Sequence, residues 1–248
     1  MILLKSLQEI AKMEVANRLV AEILEGVKEK IQPGVETREL DELAQEMCRK
    51  HRVKPAFKGY RGYPRSLCVS VNEEVVHGIP GPRRLKAGDV VSLDFGVKYE
   101  GYFGDAAITV GVGEVGEKAR SLIAVTEESL YAGIAQVKAG GHLSDISHAV
   151  QTVVEGAGFG VIRDFVGHGI GRSLHEDPQI PNFGPAGRGP ALQVGMTIAI
   201  EPMTSMGSWR VRVLQDGWTA ITEDGSCAAH FEHTVALTEN GVLILSRL

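Results

Sequence analysis

The stretch Leu85-Lys-Ala-Gly-Asp-Val-Val-Ser-Leu-Asp94 recurs 107 residues further on as Leu192-Gln-Val-Gly-Met-Thr-Ile-Ala-Ile-Glu201. Both copies keep the leucine, the glycine, the apolar alternation and a final acid. Upstream, Ile31-Gln-Pro-Gly34 recurs in the same order as Val137-Lys-Ala-Gly140. One glycine turn before an amphipathic strand is common, but collinear matches indicate a duplicated half-domain. The repeat therefore predicts two halves related by a pseudo-twofold axis, which bring Asp94 and Glu201 together at one centre.

Length and composition bound the class of protein. The chain has 248 residues, 44% hydrophobic and 23% charged, which suits one large globular domain or two small ones. A formal charge of -5 offers no bulk attraction to nucleic acid or to an anionic membrane. The three cysteines are scattered and odd in number, so they fit a reducing cytoplasm better than a disulfide framework or a zinc ribbon. We find neither a signal-peptide core nor an apolar run long enough to span a bilayer.

The spacing of apolar residues predicts the order of elements. Ser6 and Glu9 have the spacing of a capping box and start a long helix that Pro33-Gly34 stops. Further helices are predicted at 37–51, 117–137 and 144–157. Runs rich in β-branched residues predict strands at 68–71, 90–95, 106–110, 196–200, 210–214 and 231–237. This order indicates an α+β fold, in which helices gather on one face of an antiparallel or mixed sheet.

Acidic residues stand at the ends of several predicted strands. Asp94 follows residues that need burial, so its carboxylate must be paired, protonated or bound to metal. A hairpin-like span leads from Asp94 to Asp105, and a divalent cation would relieve the repulsion between them. The second half supplies Glu201 and Glu232, and His168 adds an imidazole between two glycines. Four carboxylates and one imidazole suit two divalent cations that share ligands.

Each of these residues also has an ordinary structural explanation. A lone aspartate at a strand end is more often a turn former than a ligand. Glu232 beside His233 is compatible with a plain edge pair, and His168 with a hydrogen-bonded loop residue. These explanations are preferable for any one residue taken singly. The symmetric placement of two acids in each half favours the metal site.

Short motifs that extend over almost the whole chain carry a family resemblance. They are Tyr60-Arg-Gly-Tyr63-Pro, Cys68-Val-Ser-Val-Asn-Glu-Glu-Val-Val-His77-Gly-Ile-Pro, Asp94-Phe-Gly, Gly-Asp105, Gly-His168-Gly-Ile-Gly, His175-Glu, Glu201-Pro and Glu232-His-Thr. In these motifs the chain resembles the type I methionine aminopeptidases, which have the pita-bread metallohydrolase fold. The resemblance implies a single catalytic domain over 1–248, with halves near 1–115 and 116–248 and no separate N-terminal extension.

The resemblance also implies the activity: metal-dependent hydrolysis that releases the N-terminal methionine of nascent proteins, with a small second residue preferred. It assigns two divalent ions to the five ligands Asp94, Asp105, His168, Glu201 and Glu232. The implied nucleophile is a hydroxide that bridges both ions. Glu201 is the implied proton shuttle. Cobalt, manganese, iron and zinc all remain open as the metal.

The remaining site residues also come from the resemblance. It places His77 near the scissile amide nitrogen and His175 near the carbonyl oxygen; without it, hydrogen bonds to backbone would be the preferred explanation for both. Tyr60, Tyr63, Cys68 and Trp218 match positions that surround the methionine side chain, for which aromatic and soft residues are suited. Two neighbours depart from the bacterial pattern: Phe57 stands where cysteine is common, and Leu174 where an aromatic residue is common.

Two rival functions stay open at this point. A prolidase or aminopeptidase P would use the same ligand types, but those proteins usually carry a separate N-terminal domain, whereas here only about 50 residues of helix precede the glycine- and tyrosine-rich loop at 59–64, the tyrosine loop. A non-catalytic binding module on the same fold would typically have lost ligands. The resemblance implies nascent polypeptide N-termini as partners, allows contact with the ribosome, and gives no specificity for nucleic acid or membrane. We expect a cytoplasmic monomer.

Overall fold

Ser6 begins the first helix with the capping box that the sequence predicts. Its hydroxyl accepts from the backbone N–H of Glu9, and the Glu9 carboxylate accepts from the backbone N–H of Ser6. The computed structural model describes residues 1–247. Its helices are α1 Leu7–Lys28, α2 Thr37–His51, α3 Glu117–Ile134 and α4 Leu143–Gly156. None of the helices in this described part is long and apolar enough to cross a membrane.

Residues 1–247 form fifteen strands and a short 3₁₀ helix at Tyr60–Gly62. The strands are β1 Lys54–Pro55, β2 Leu67–Val71, β3 Glu74–Val76, β4 Val90–Tyr99, β5 Tyr102–Gly111, β6 Gly160–Val161, β7 Gly167–Gly169, β8 Glu176–Ile180, β9 Thr197–Ile200, β10 Met203–Ser205, β11 Val211–Val213, β12 Ala220–Thr222, β13 Ala228–His230, β14 Glu232–Thr238 and β15 Gly241–Ile244.

The predicted elements are all present, with some shifted bounds. Helix α2 covers the predicted residues, whereas α1 ends at Lys28, several residues before Pro33. The apolar pattern continues to Ile31 because that side chain, which follows the turn after α1, packs against the apolar cluster that α1 and α2 form with β2 and β4. Strands β4 and β5 are each ten residues long and form one hairpin. Each strand between β9 and β14 is three residues long, and the sequence pattern predicts only β11 among them.

One large sheet organises the molecule. Its strand order is β1-β4-β5-β14-β9-β7-β8, with β2 also paired to β4 and β15 to β14. The recorded pairings are antiparallel, as in the two small sheets β13-β10-β6 and β11-β12-β3. Helices α1 and α2 pack on β2 and β4 in one apolar cluster, and α3 and α4 pack on β9 and β14 in another. The predicted α+β class is confirmed.

The two halves repeat each other in hydrogen bonds as well as in sequence. In each half, the turn before the second helix of that half, α2 or α4, pairs with the segment before the strand that leads to the acid, β4 or β9. Gly34 N–H donates to Leu85 O at 2.7 Å, and Gly140 N–H donates to Leu192 O at 2.9 Å. We interpret this correspondence as a duplicated half-domain, and the boundary near 115 and 116 stays a prediction. Leu248, the last residue of the predicted second half, lies outside the described residues.

Candidate metal centre and active site

The strand register places a row of acids across the sheet. Asp94 on β4 lies opposite Ala107 on β5, and Ala107 lies opposite Glu232 on β14. Cross-strand partners of an antiparallel sheet share a face, so the two carboxylates project to the same side. Ala107 is small and leaves the space between them open.

A second row runs parallel to the first, two residues along the strands. His168 on β7 lies opposite Ala199 on β9, which in turn lies opposite Thr234 on β14. The Thr234 hydroxyl donates to the backbone oxygen of Asp105 at 2.8 Å, which extends the row to β5. Because alternate residues share a face, Asp105 and His168 project to the same side as the first row.

The donor set fits a divalent cation. Asp105, His168 and Glu232 offer ligand atoms that all lie within 4.8 Å of one another, and all three residues are buried. Within residues 1–247, Asp94 Oδ1, Asp105 Oδ1 and Glu232 Oε1 are buried and accept no hydrogen bond. A buried carboxylate oxygen without a partner is costly, and a cation supplies the missing partner.

The electrostatics of the acids agree with this fit. Burial raises the pKa of Asp94 to about 7. Burial and the charge of Asp94 raise the pKa values of Asp105 and Glu201 well above the usual range. Burial and the charge of Asp105 do the same to the pKa of Glu232. The four carboxylates thus repel one another in a dry site, and divalent cations would relieve this repulsion.

His168 is oriented to present a free nitrogen lone pair. Burial lowers its pKa to about 4, so the ring is neutral. We assign the proton to Nδ1, which donates to Gly169 O at 2.9 Å. Nε2 then carries the lone pair and lies 3.5 Å from Glu201 Oε1. A backbone hydrogen bond that fixes the tautomer is typical of metal-binding histidines.

All predicted site residues line one cavity of about 150 Å³. Its full lining is Phe57, Tyr60, Arg61, Tyr63, Cys68, His77, Asp94, Asp105, His168, Leu174, His175, Glu201, Trp218 and Glu232. Arg61 was missed by the sequence analysis. It has a positive φ of 48° in the tyrosine loop, and its guanidinium lies 5.4 Å from the centre of the Tyr60 ring. The glycine-rich spacing of that loop was the available signal.

The rest of the cavity lining is aromatic and soft. The buried Tyr63 hydroxyl donates to Gly78 O at 2.9 Å and to Leu67 O at 3.2 Å, and its ring packs edge-on against Trp218. Cys68 pairs with Asp94 across β2 and β4. Burial raises the pKa of the Cys68 thiol well above its usual value, so it stays neutral. The departures at Phe57 and Leu174 are both buried in this wall.

His77 and His175 flank the acids. His77 has a positive φ of 61°, a strained backbone conformation of the kind that clusters at functional sites. Its ring packs edge-on against Phe165 and Trp218, and burial lowers its pKa. His175 Nδ1 lies 2.8 Å from the Tyr60 hydroxyl, and desolvation of the ring in the cavity lowers the pKa of His175 to about 3.

His230 is a second residue that sequence reasoning missed. It is fully buried behind Glu201, with Nε2 3.8 Å from Glu201 Oε2. Neither ring nitrogen has a hydrogen-bond partner among residues 1–247, and burial lowers its pKa to about 3. A polar residue inside the apolar run Ala228-Ala-His230-Phe was the signal that could have identified it.

Similarity to known proteins bears on both fold and site. A methionine aminopeptidase of Clostridium perfringens is 53% identical over 99% of each chain, and methionine aminopeptidase 1 of Bacillus subtilis is 52% identical over the full length of both. The crystal structure of a methionine aminopeptidase from Thermotoga maritima superposes with a TM-score of 0.98 at 54% identity over all of both chains.

More distant neighbours share the fold alone. A prolidase from Pyrococcus furiosus is 24% identical with a TM-score of 0.81, and the match covers 99% of this chain but 65% of the prolidase. The predicted pita-bread fold is thereby confirmed. The model of metallopeptidase family M24 matches residues 11–239. With a family match over most of its length and close full-length relatives, the chain belongs to metallopeptidase family M24.

Proposed function

We propose that this metallopeptidase removes the N-terminal methionine from nascent proteins and peptides. The observation that carries the proposal is the convergence of four carboxylates, two of them on the buried residues Asp105 and Glu232, and a neutral imidazole on one wall of a cavity whose other wall is aromatic. Full-length identity of 52–53% to proteins named methionine aminopeptidase supports the same activity.

Two divalent cations, cobalt, manganese, iron or zinc, would be held by Asp94, Asp105, His168, Glu201 and Glu232. When bound, such ions polarise a carbonyl group and lower the pKa of water toward neutrality. The orphaned oxygens of Asp94, Asp105 and Glu232 support this assignment, because each buried oxygen needs a positive partner.

Glu201 moves the proton in our proposal. One of its Oε atoms accepts a proton from the attacking water and later delivers it to the leaving amine. Glu201 Oε1 lies 3.5 Å from His168 Nε2 and Oε2 lies 3.8 Å from His230 Nε2, so each carboxylate oxygen faces a neutral imidazole.

The flanking histidines act on the scissile amide. The Tyr60 hydroxyl donates to His175 Nδ1 in the tautomer that we assign, which leaves Nε2–H free to donate to the developing oxyanion. We assign His77 to the scissile amide nitrogen. Both rings are neutral because burial lowers their pKa values, so they serve as hydrogen-bond donors rather than as cations.

The aromatic wall binds the methionine side chain. Tyr60, Tyr63, Cys68 and Trp218 surround an unbranched thioether with polarisable groups, which favours methionine over charged or β-branched residues. The free α-amine must lie near the acids, so a formylated terminus is refused. A small second residue is preferred in the same proposal.

Peptide hydrolysis tests the proposal. Metal-stripped protein is reconstituted in turn with Mn²⁺, Fe²⁺, Co²⁺ and Zn²⁺ and assayed with Met-Ala-Ser, formyl-Met-Ala-Ser and Xaa-Pro peptides. We expect release of methionine from the first peptide only. Failure of all four metals to restore that release would contradict the proposal, and activity confined to Xaa-Pro peptides would favour a prolidase.

The cellular setting is proposed with the activity. We propose a cytoplasmic monomer that meets its substrates as they leave the ribosome. The free cysteines Cys48, Cys68 and Cys227 support the reducing compartment. The charge of -5 argues that any ribosome contact depends on a local patch. Light scattering of the purified protein and co-sedimentation with ribosomes test the two parts separately.

A further inference from the structure

The turn between β7 and β8 carries His175, and one buried side chain closes it. Glu176 Oε1 accepts the backbone N–H of Arg172 at 2.8 Å and that of Ser173 at 3.0 Å. Within the turn, Gly171 N–H also donates to Ser173 O at 3.1 Å. The Glu176 carboxylate therefore sets the course of the backbone directly before His175.

The second oxygen of this carboxylate binds the N-terminal segment. Lys5 Nζ contacts Glu176 Oε2, and Lys5 Nζ also donates to Leu3 O at 3.0 Å. The side chains of Lys5 and Glu176 are 5% and 7% exposed, whereas those of Lys12 and Glu100, an ion pair formed by a residue of α1, are 47% and 53% exposed. Removing one partner of a buried ion pair leaves an uncompensated charge, so the Lys5 pair constrains the turn far more strongly.

Two glycines make room for this contact. A Cβ on Gly171 would lie 2.3 Å from Lys5 Cε, and a Cβ on Gly195 would lie 3.0 Å from Lys5 O. Lys5 N–H donates to Gly195 O at 2.7 Å. Gly171 belongs to the His168 motif and Gly195 to the internal repeat, yet neither contributes a group to the proposed chemistry. Their shared neighbour in the fold is Lys5.

We propose that Lys5 is a positioning residue for His175 and acts through Glu176. The proposal rests on the proposed function, in which His175 donates to the oxyanion. Tyr60 holds the His175 ring at Nδ1, and the Lys5–Glu176 pair holds the adjoining backbone. His175 also lies against a metal-ligand candidate, with its ring centre 4.2 Å from that of His168. A small displacement of the turn therefore misdirects the donor without removing it.

The first test compares Lys5→Met with Lys12→Met, its exposed control. With saturating Mn²⁺ and Met-Ala-Ser, we expect Lys5→Met to lower kcat by about 10- to 100-fold, because misplacement by about 1 Å can cost about 100-fold. KM should change by less than about threefold, since the pocket residues Tyr63, Cys68 and Trp218 and the acids lie outside the turn. Lys12→Met should match the parent protein. A parental kcat in Lys5→Met would overturn the inference.

The second test separates positioning from general stability. In a His175→Ala background, Lys5→Met should lower kcat by less than about twofold, because the group that it positions is gone. An equal loss in both backgrounds would overturn the inference in favour of a structural role. Hydrogen exchange provides a readout without turnover: amides of residues 172–176 should exchange faster in Lys5→Met, and those of 90–99 should not. Uniform acceleration would contradict the proposal.

If Lys5→Met does not fold, two further variants test the same inference. Lys5→Arg keeps the charge and should restore at least half of the parental kcat, whereas Glu176→Gln keeps the acceptor for the turn but loses the ion pair and should lower kcat. A lower kcat in Lys5→Arg than in Glu176→Gln would overturn the inference. If the parent protein itself releases no methionine, the proposed function fails, and the exchange experiment still decides whether Lys5 holds the turn.

Discussion

The two halves bring their acids to the centre by different routes. In the first half, Asp94 and Asp105 lie on one hairpin whose ten residue pairs run without interruption from β4 to β5. In the second half, Glu201 directly follows β9 and Glu232 begins β14, which are neighbours in the sheet but are separated in the chain by β10 to β13. One centre is thus assembled by a local hairpin on one side and by long-range pairing on the other.

The difference between the halves has a chemical counterpart. The segment from β10 to β13 in the second half carries Trp218 and His230, and the second half also supplies His168, His175 and Glu201. The first half supplies the acids of the hairpin together with Tyr63 and Cys68 of the aromatic wall. Duplication therefore accounts for the symmetric acids, whereas the proposed proton-handling groups belong mainly to one half. The comparison leads to four predictions.

The largest effect is expected from Glu201→Ala, which removes the proposed proton-transfer group of the second half. We expect kcat for Met-Ala-Ser to fall by about 10²- to 10⁴-fold, the usual contribution of a positioned acid or base, with a native circular dichroism spectrum. The fold should survive because Glu201 lies at the cavity, outside both helix-packed clusters. Normal turnover in this variant would refute the assignment of Glu201.

A smaller effect distinguishes the acids of the two halves. Glu232 belongs to the tight triad with Asp105 and His168, whereas Asp94 does not. We therefore expect Glu232→Gln to weaken Mn²⁺ binding more than Asp94→Asn does, with losses of at least about 10- to 100-fold, since even outer partners of metal ligands contribute that much. Calorimetric titration of the metal-stripped variants with Mn²⁺ measures both affinities. Equal losses would mean that the halves contribute alike.

Tyr63→Phe probes the wall that the first half supplies. The variant removes the donor to Gly78 O and Leu67 O, and a net hydrogen bond of about 0.5 to 1.5 kcal/mol corresponds to a change of about two- to tenfold. We expect KM for Met-Ala-Ser to rise by that factor while kcat stays within about twofold. Tyr99→Phe is the control. A change confined to kcat would place Tyr63 in the chemistry instead.

The smallest effect concerns Glu9, which joins the first helix to both halves through Tyr102 and Arg172. Hydrogen bonds from Ser6 N–H and Tyr102 lower the pKa of Glu9 from 4.5 to about 2. A pKa that is lower in the folded than in the unfolded protein stabilises the fold at pH values above the unfolded-state pKa. For Glu9 this stabilisation is lost as the pH falls from about 4.5 toward 2.

The free energy of unfolding of the parent protein and Glu9→Gln is measured by urea titration at several pH values. Their difference should be constant above about pH 5 and should shrink at lower pH. Glu14→Gln on the same helix is the control. A difference that grows on acidification would contradict the sign of the pKa shift.

Much of the fold could be predicted because its signals are local. Helix α2 covers the predicted residues since its caps and apolar spacing agree, and the acid-bearing strands follow glycine turns. Strand β7 was not predicted because Gly167-His168-Gly169 has no β-branched residue; it forms a strand only between β8 and β9. Local propensity carries no information about such partners.

The site was predictable in its composition but not in its arrangement. The repeat and the motifs led to residues that all line one cavity, yet the ligand and substrate roles remain proposals. The sequence gives no indication that Lys5 meets Glu176, because the two residues are 171 positions apart and each alone resembles a surface charge. His230 likewise becomes informative only when its distance to Glu201 is known.

By itself, the sequence determined the duplication, the order of elements, the family resemblance and the identity of the acids, since periodicity and motifs are written along the chain. Tertiary structure decided which oxygens remain without partners, which tautomer His168 adopts and which charges are buried together. The physical reason is that strand register and burial depend on residues far apart in the chain, and these alone fix the distances and desolvation that determine the chemistry.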